Sequence, residues 1–275
     1  MKKNSFFSYL ASTLLLVGFF LFLQLKKTPD SAKENQEKEI ADEKSIQFEI
    51  KAELEDSEKN FEQTKLTDEA KEIPSEKESL TKQQVPFVIQ APFGNWKEAD
   101  FQNACEEASI VMAMGWIKGE KEISPEKAGK RILEIVDFEN KNFGYSTDND
   151  IFDLEKIFKE YFNHQNVLVK NNADIENIKT EIQKGNIVIV PVFGQALKNP
   201  NFTQPGPIAH MLVILGYDPT TKEFITNDPG TRKGAGYRYG ENLLFAAVWE
   251  YPSGKNLPLP PKAGEMAKRL ISISK

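Results

Sequence analysis

The chain changes character near Val85, and that change limits what can fold. From Thr28 to Gln84 the sequence is dominated by Glu, Lys, Asp, Ser, Gln and Asn, and its few apolar residues, such as Ile40, Phe48, Leu54 and Phe61, never gather into a stripe. A segment of that kind cannot bury enough apolar surface to offset the entropy of ordering its backbone. Residues 28–84 are therefore expected to form a charged, disordered linker, with transient helix where i,i+4 pairs such as Glu34 with Lys38 recur. Beyond it, residues 85–275 carry aromatics, glycines and prolines at ordinary globular frequency, and about 190 residues suit a single domain.

Ahead of the linker stands FFSYLASTLLLVGFFLFLQL, Phe6 to Leu25, uncharged and flanked by Lys2, Lys3, Lys26 and Lys27. About twenty residues at roughly 1.5 Å each span a hydrocarbon core of about 30 Å. No Ala-x-Ala cleavage site follows Leu25, so residues 1–27 are expected to be an uncleaved membrane anchor; a signal segment cut after export is the alternative. Lysines on both sides leave the charge rule for orientation silent. An N-terminal signal-anchor usually leaves the bulk of the chain outside the cytoplasmic membrane, and that location is expected here. The formal net charge of -6 argues against nucleic acid as a partner.

Within the domain, helices come first. They are expected over about Asn103–Ile117, Pro125–Val136 (after Ser124 as cap), Asn149–Phe162, and Ala173–Lys184, the last ending at Gly185. Then IVIVPVF, Ile187 to Phe193, is an unbroken apolar run that suits a strand buried on both faces. A Pro- and Gly-rich loop, Gly194 to Pro207, precedes HMLVILGYD (His210–Asp218) and EFITND (Glu223–Asp228), which read as an antiparallel hairpin. A short helix over Glu241–Tyr251 and an irregular tail from Pro252 complete the expected order. Helices followed by strands imply an α+β fold with segregated layers.

The chain has one cysteine, Cys105, where a turn-rich segment gives way to an apolar helix. It has no partner for an intrachain disulfide, which leaves a buried small hydrophobe, a linker between copies, or a nucleophile. A helix N-terminus favours a thiolate, though Glu106 and Glu107 oppose it. Of the two histidines, His164 stands in a polar context (YFNHQN) that reads as surface. His210 opens an apolar strand, and antiparallel pairing would set it beside Asp228 at the end of the partner strand. Spacing alone thus permits a Cys-His-Asp arrangement and equally a structural histidine.

At these residues the sequence resembles the papain-like cysteine peptidases of the double-glycine (bacteriocin-leader) peptidase-like superfamily. The matching pieces are VPFVIQAPFGNW, ACEEASIVMAMGW, AHMLVILGYD and NDPG, followed by Tyr237 and the helix ENLLFAAVW. They run from Val85 to about Trp249 and leave out the anchor and linker. The resemblance implies a papain-like fold with N-terminal helices packed on an antiparallel sheet. It also implies Cys105 as nucleophile, His210 as general base and acid, and Asp228 as the residue orienting His210. A glutamine upstream of the cysteine would complete an oxyanion hole with the Cys105 N–H. Gln90, after the Pro-aromatic strand, is preferred over Gln102, three residues before the cysteine. The family's commoner Cys-Gly-Pro start of the nucleophile helix is here Cys-Glu-Glu, which bears on the substrate.

Three functions are open at this level. They are a peptidase cleaving peptide amide bonds, a catalytically silent peptide- or wall-binding module, and a peptidoglycan amidase. The expected partners are a peptide or protein substrate and the membrane, for a monomeric chain; no metal or cofactor is called for. The loop Gly194–Pro207 is expected to border the substrate cleft, with PGTRKGAGYRYG, from Pro229 to Gly240, as a second candidate rim.

Overall fold

The computed structural model describes residues 80–254, 260–262, 264 and 266–275. The expected anchor and nearly all of the expected linker lie outside them. Among the described residues no helix is long and apolar enough to cross a membrane.

The first strand, β1 (Thr81–Lys82), is followed by α1 (Ala99–Gln102), α2 (Cys105–Ile117), α3 (Pro125–Asn142) and α4 (Ile151–Lys156), which continues into a π turn at Ile157–Tyr161. Then come β2 (Val167–Asn171), α5 (Ile175–Gln183), β3 (Ile187–Phe193), a 3-10 turn at Gly194–Leu197, β4 (Ala209–Asp218) and β5 (Glu223–Asn227). The order closes with β6 (Tyr237–Gly240), α6 (Glu241–Ala247) and β7 (Arg269–Ile273). Caps fall where the sequence places them: the Ser124 hydroxyl accepts from the Lys127 N–H, and Pro125 opens α3. The Asp150 and Asp174 carboxylates cap α4 and α5.

All strand pairs are antiparallel, in the order β2-β7-β3-β4-β5-β6, with β1 also paired to β4. Two apolar cores form, one on each face of the sheet. On one face Ile187, Ile189, Met211, Val213, Leu215 and Ile271 pack against α2, α3 and α4. On the other, Val188, Val190, Leu212 and Ile214 meet Ile178 and Ile182 of α5 and Leu244 and Ala247 of α6. The expectation of N-terminal helices on an antiparallel sheet holds, but the layers are not segregated, because α5 and α6 cover the second face. That explains why β3 is apolar at every position: alternate residues feed opposite cores. Helix α2 is buried from Cys105 through Trp116, so it is apolar nearly all round and sits in the middle of the domain.

Four expectations need correction. The tail after Pro252 is not irregular throughout, since RLISI forms β7 between β2 and β3 and pairs with both. Two further strands, β2 and β6, lie in stretches read as connections, β6 falling within the candidate rim. The last helix stops at Ala247 instead of Tyr251, because Val248 turns extended to bridge Val192 and the Trp249 N–H donates to the Pro191 carbonyl. Lastly, Thr81 and Lys82, placed in the linker by their polarity, pair with Tyr217 and Gly216. Gly216 makes that possible: a Cβ there would run into the Thr81 carbonyl oxygen.

Candidate active site

A cleft of about 440 Å3 opens where the start of α2, the start of β4 and the loop before β4 converge. It is lined by Cys105, His210, Gln90, Gln102, Asp148 and Gly230, and by the segment Phe202–Ala209. The loop before β4 thus borders the cleft as its position suggested. A larger groove of about 670 Å3, between β1, the end of α2 and the C-terminus, contains none of these side chains.

His210 sits on β4 with Val192 of β3 as its partner. The β4–β5 hairpin pairs Val213 with Asn227, which brings Asp228 alongside the start of β4. The His210 Nε2 lies 2.8 Å from Asp228 Oδ1, with both residues buried. An ionised carboxylate can only accept, so Nε2 carries the proton and Nδ1 keeps its lone pair. Around this pair the local sequence is dictated by space. Phe202 stacks edge-on against the imidazole at 5.4 Å, and a Cβ at Gly230 would come within 2.7 Å of His210 Cε1.

Asp228 is held from several directions. The Tyr239 hydroxyl donates to Oδ2 at 2.7 Å, the Gly230 N–H donates to Oδ1 at 3.0 Å, and the Asn199 amide reaches Oδ2 at 3.5 Å. Burial alone would raise its pKa, but the adjacent His210 imidazole and these donors outweigh it and hold the carboxyl below its ordinary value. Asn199 and Tyr239 were not singled out from sequence. Tyr239 lies two residues beyond Tyr237 in an alternating YRY, and that alternation was the available signal.

Cys105 is the first residue of α2, as expected, but its thiol is not depressed. Burial pushes it well up, followed by the adjacent Glu106 carboxylate, with Asp148 adding to the effect. These act against the helix N-terminus. Sγ donates to Glu106 Oε2 at 2.9 Å, and the Tyr251 hydroxyl donates to the other oxygen of the same carboxylate at 2.5 Å. Glu107 points elsewhere, into a buried pair with Glu139. Burial and the Glu139 charge raise Glu107 well above the carboxylate range, and burial pushes Glu139 up to about 8. Glu107 therefore keeps its proton; Glu139 Oε1 accepts from the Asn149 amide at 2.7 Å, while both Glu107 oxygens and Glu139 Oε2 have no hydrogen-bond partner among the described residues.

Gln90 is buried at the cleft wall. Its backbone N–H donates to the Pro229 carbonyl, and its Nε2 donates to the carbonyls of Phe101 (3.2 Å) and Gln102 (2.6 Å). Gln102 is exposed and lines the cleft too, but in that contact it contributes its backbone carbonyl. His164 is half-buried, with Nε2 2.9 Å from the Ser274 carbonyl, and does not line the cleft. Among the described residues no cluster of His, Cys, Asp and Glu is arranged to hold a metal.

A central buried helix that starts at a cysteine, set against an antiparallel sheet carrying a His–Asp pair, is the layout of a papain-like domain. The sequence profile of the Peptidase_C39 like family matches residues 82–256, and the chain belongs to that family. Among solved structures, a presumed C39-like peptidase from Bacillus anthracis matches with 16% identity and a TM-score of 0.42, over 72% of this chain and 98% of that one. No curated protein matches.

Proposed function

We propose that the domain is a thiol hydrolase, a cysteine peptidase that cleaves peptide amide bonds by acyl transfer. The observation that supports this best is the His210–Asp228 hydrogen bond in the same cleft as the single cysteine. In the reaction, Sγ turns from Glu106 toward His210, whose Nδ1 takes the thiol proton as the sulfur attacks the carbonyl carbon. The imidazolium then protonates the leaving amine. Water, deprotonated by the same nitrogen, cleaves the thioester to release a carboxylic acid and regenerate the thiol. Asp228 holds the ring in the required tautomer. Gln90 and the Cys105 backbone N–H stabilise the oxyanion, for which Gln90 must release its longer bond, the 3.2 Å contact to Phe101.

The proposed setting is extracytoplasmic, with the domain held by the span Phe6–Leu25 on the charged tract that follows. A second reading, a catalytically silent binding module, is favoured by the thiol's hydrogen bond to Glu106. Iodoacetamide labelling with mass mapping separates the two. A hydrolase alkylates at Cys105 at a rate that falls in His210→Ala, and Cys105→Ala abolishes amide cleavage at unchanged melting temperature. A silent module labels no faster in the parent protein than in His210→Ala and keeps its binding in Cys105→Ala.

A further inference from the structure

The cleft contains one charge that acyl transfer leaves unused. Asp148, in the loop between α3 and α4, lines the cleft and is 8% exposed. Its Oδ2 is buried and has no hydrogen-bond partner among the described residues. Its backbone is left-handed, with φ of 52°, a conformation that Asp takes at some cost and that fixes the loop locally. The ionisable groups that bear on it are Cys105, Glu106 and Tyr251; His210 shares the cleft, and no lysine or arginine is among the lining residues. The remaining lining includes the apolar side chains of Trp96 and Ile208.

A buried carboxylate without a counter-charge is disfavoured, so it either takes up a proton or is neutralised by a cation from outside. Burial and the Glu106 charge push the Asp148 carboxyl up to about 7. Near neutral pH it is therefore poised between the two forms, and an arriving cation favours the charged one. No lysine or arginine lines the cleft to supply that cation and His210 is engaged with Asp228, whereas an alkyl chain lying on Trp96 and Ile208 could deliver one.

We propose that Asp148 is the specificity-determining residue of the cleft, pairing with a protonated amine of the substrate, either a lysine side chain or a free amino terminus, beside the carbonyl that Cys105 attacks. The position of that carbonyl rests on the hydrolase reading, while the amine site itself does not. Both can therefore be tested in one experiment. Full-length protein carrying Cys105→Ala is titrated with three short peptide amides: an acetylated lysine peptide, its acetylated norleucine counterpart, and the norleucine peptide with a free amino terminus. One or both amine-bearing peptides should bind at least about tenfold more tightly than acetylated norleucine, the scale expected for a desolvated charge pair. Whichever of the two gains identifies the source of the amine. The advantage should shrink to within about twofold when Asp148→Asn is added, and grow from pH 6 to pH 8 while Asp148 is present. Equal binding of all three peptides, an advantage that survives Asp148→Asn, or no binding at millimolar concentration overturns the proposal. The same peptides given to the parent protein report on hydrolysis separately: an Asp148-dependent binding advantage without cleavage leaves the amine site standing and removes the peptidase.

Discussion

Cys105 Sγ donates to Glu106 Oε2 at 2.9 Å, so the thiol's hydrogen-bond partner is its neighbour in sequence and not His210. The contact keeps the sulfur protonated at rest, because a carboxylate beside a buried thiol disfavours a second negative charge. Removing that charge while keeping the shape should free the thiol. In Glu106→Gln the amide oxygen can still accept from Tyr251, and alkylation of Cys105 at pH 7 should quicken by at least about threefold. An unchanged or slower rate would mean that burial, and not Glu106, governs the sulfur.

The glycine at 230 is set by the imidazole. An alanine Cβ there would lie 2.7 Å from His210 Cε1 and 3.2 Å from Nε2, pushing the ring off Asp228. Gly230→Ala should therefore cost about 1–3 kcal/mol of stability, as overpacking does. The loss of amide hydrolysis should be disproportionate, on the order of a hundredfold, since a displaced base forfeits most of its contribution. Paired melting and rate measurements test this, and a variant that melts earlier but turns over normally would sink it.

How much of this was legible in the sequence depended on whether a feature is local. The cysteine at the start of α2, the Ser124–Pro125 start of α3 and the β4–β5 hairpin each follow from neighbours along the chain. The His210–Asp228 approach follows from the hairpin alone. By contrast, β7 and β2 are five-residue strands whose identity comes from partners about 100 residues away. VLVKN and RLISI carry too little pattern to announce themselves. The Glu107–Glu139 pair was illegible for another reason: charged residues in helical sequence read as solvated, and only the packing of α2 on α3 turns both inward. The sign of the Glu106 effect on the thiol likewise needed the direction of one side chain.

The position of β7 has a consequence for folding. It lies between β2 and β3, so removing it breaks the sheet into two parts and exposes Ile187 and Ile189 of the first core. A chain ending at Lys268 should fail to give a cooperative thermal transition and should collect in the insoluble fraction. Recovery of a soluble protein with a melting temperature near that of the parent would show that β3 needs no partner on that side.

Stability should fall as pH rises, the reverse of the usual behaviour of a protein rich in paired carboxylates. Glu139 is buried and Glu250 half-buried, with carboxyls pushed up by desolvation to about 8 and about 7. Between the ordinary carboxylate value and those raised values the folded chain binds protons that the unfolded chain has lost, so deprotonation favours unfolding. Their contribution is fully present below about pH 4.5 and is lost as pH climbs through 7 and 8. Asp228 has the opposite sign, since its carboxyl is held low; its contribution is present above about pH 4 and disappears only in stronger acid. The melting temperature should therefore peak near pH 5 and drop by several degrees by pH 9. Glu139→Gln should flatten the drop, because Gln stays neutral throughout and can still accept from the Asn149 amide. A melting temperature that rises from pH 5 to pH 9, or a Glu139→Gln variant with the same slope as the parent, would show that these carboxyls are charged and solvated in the folded protein.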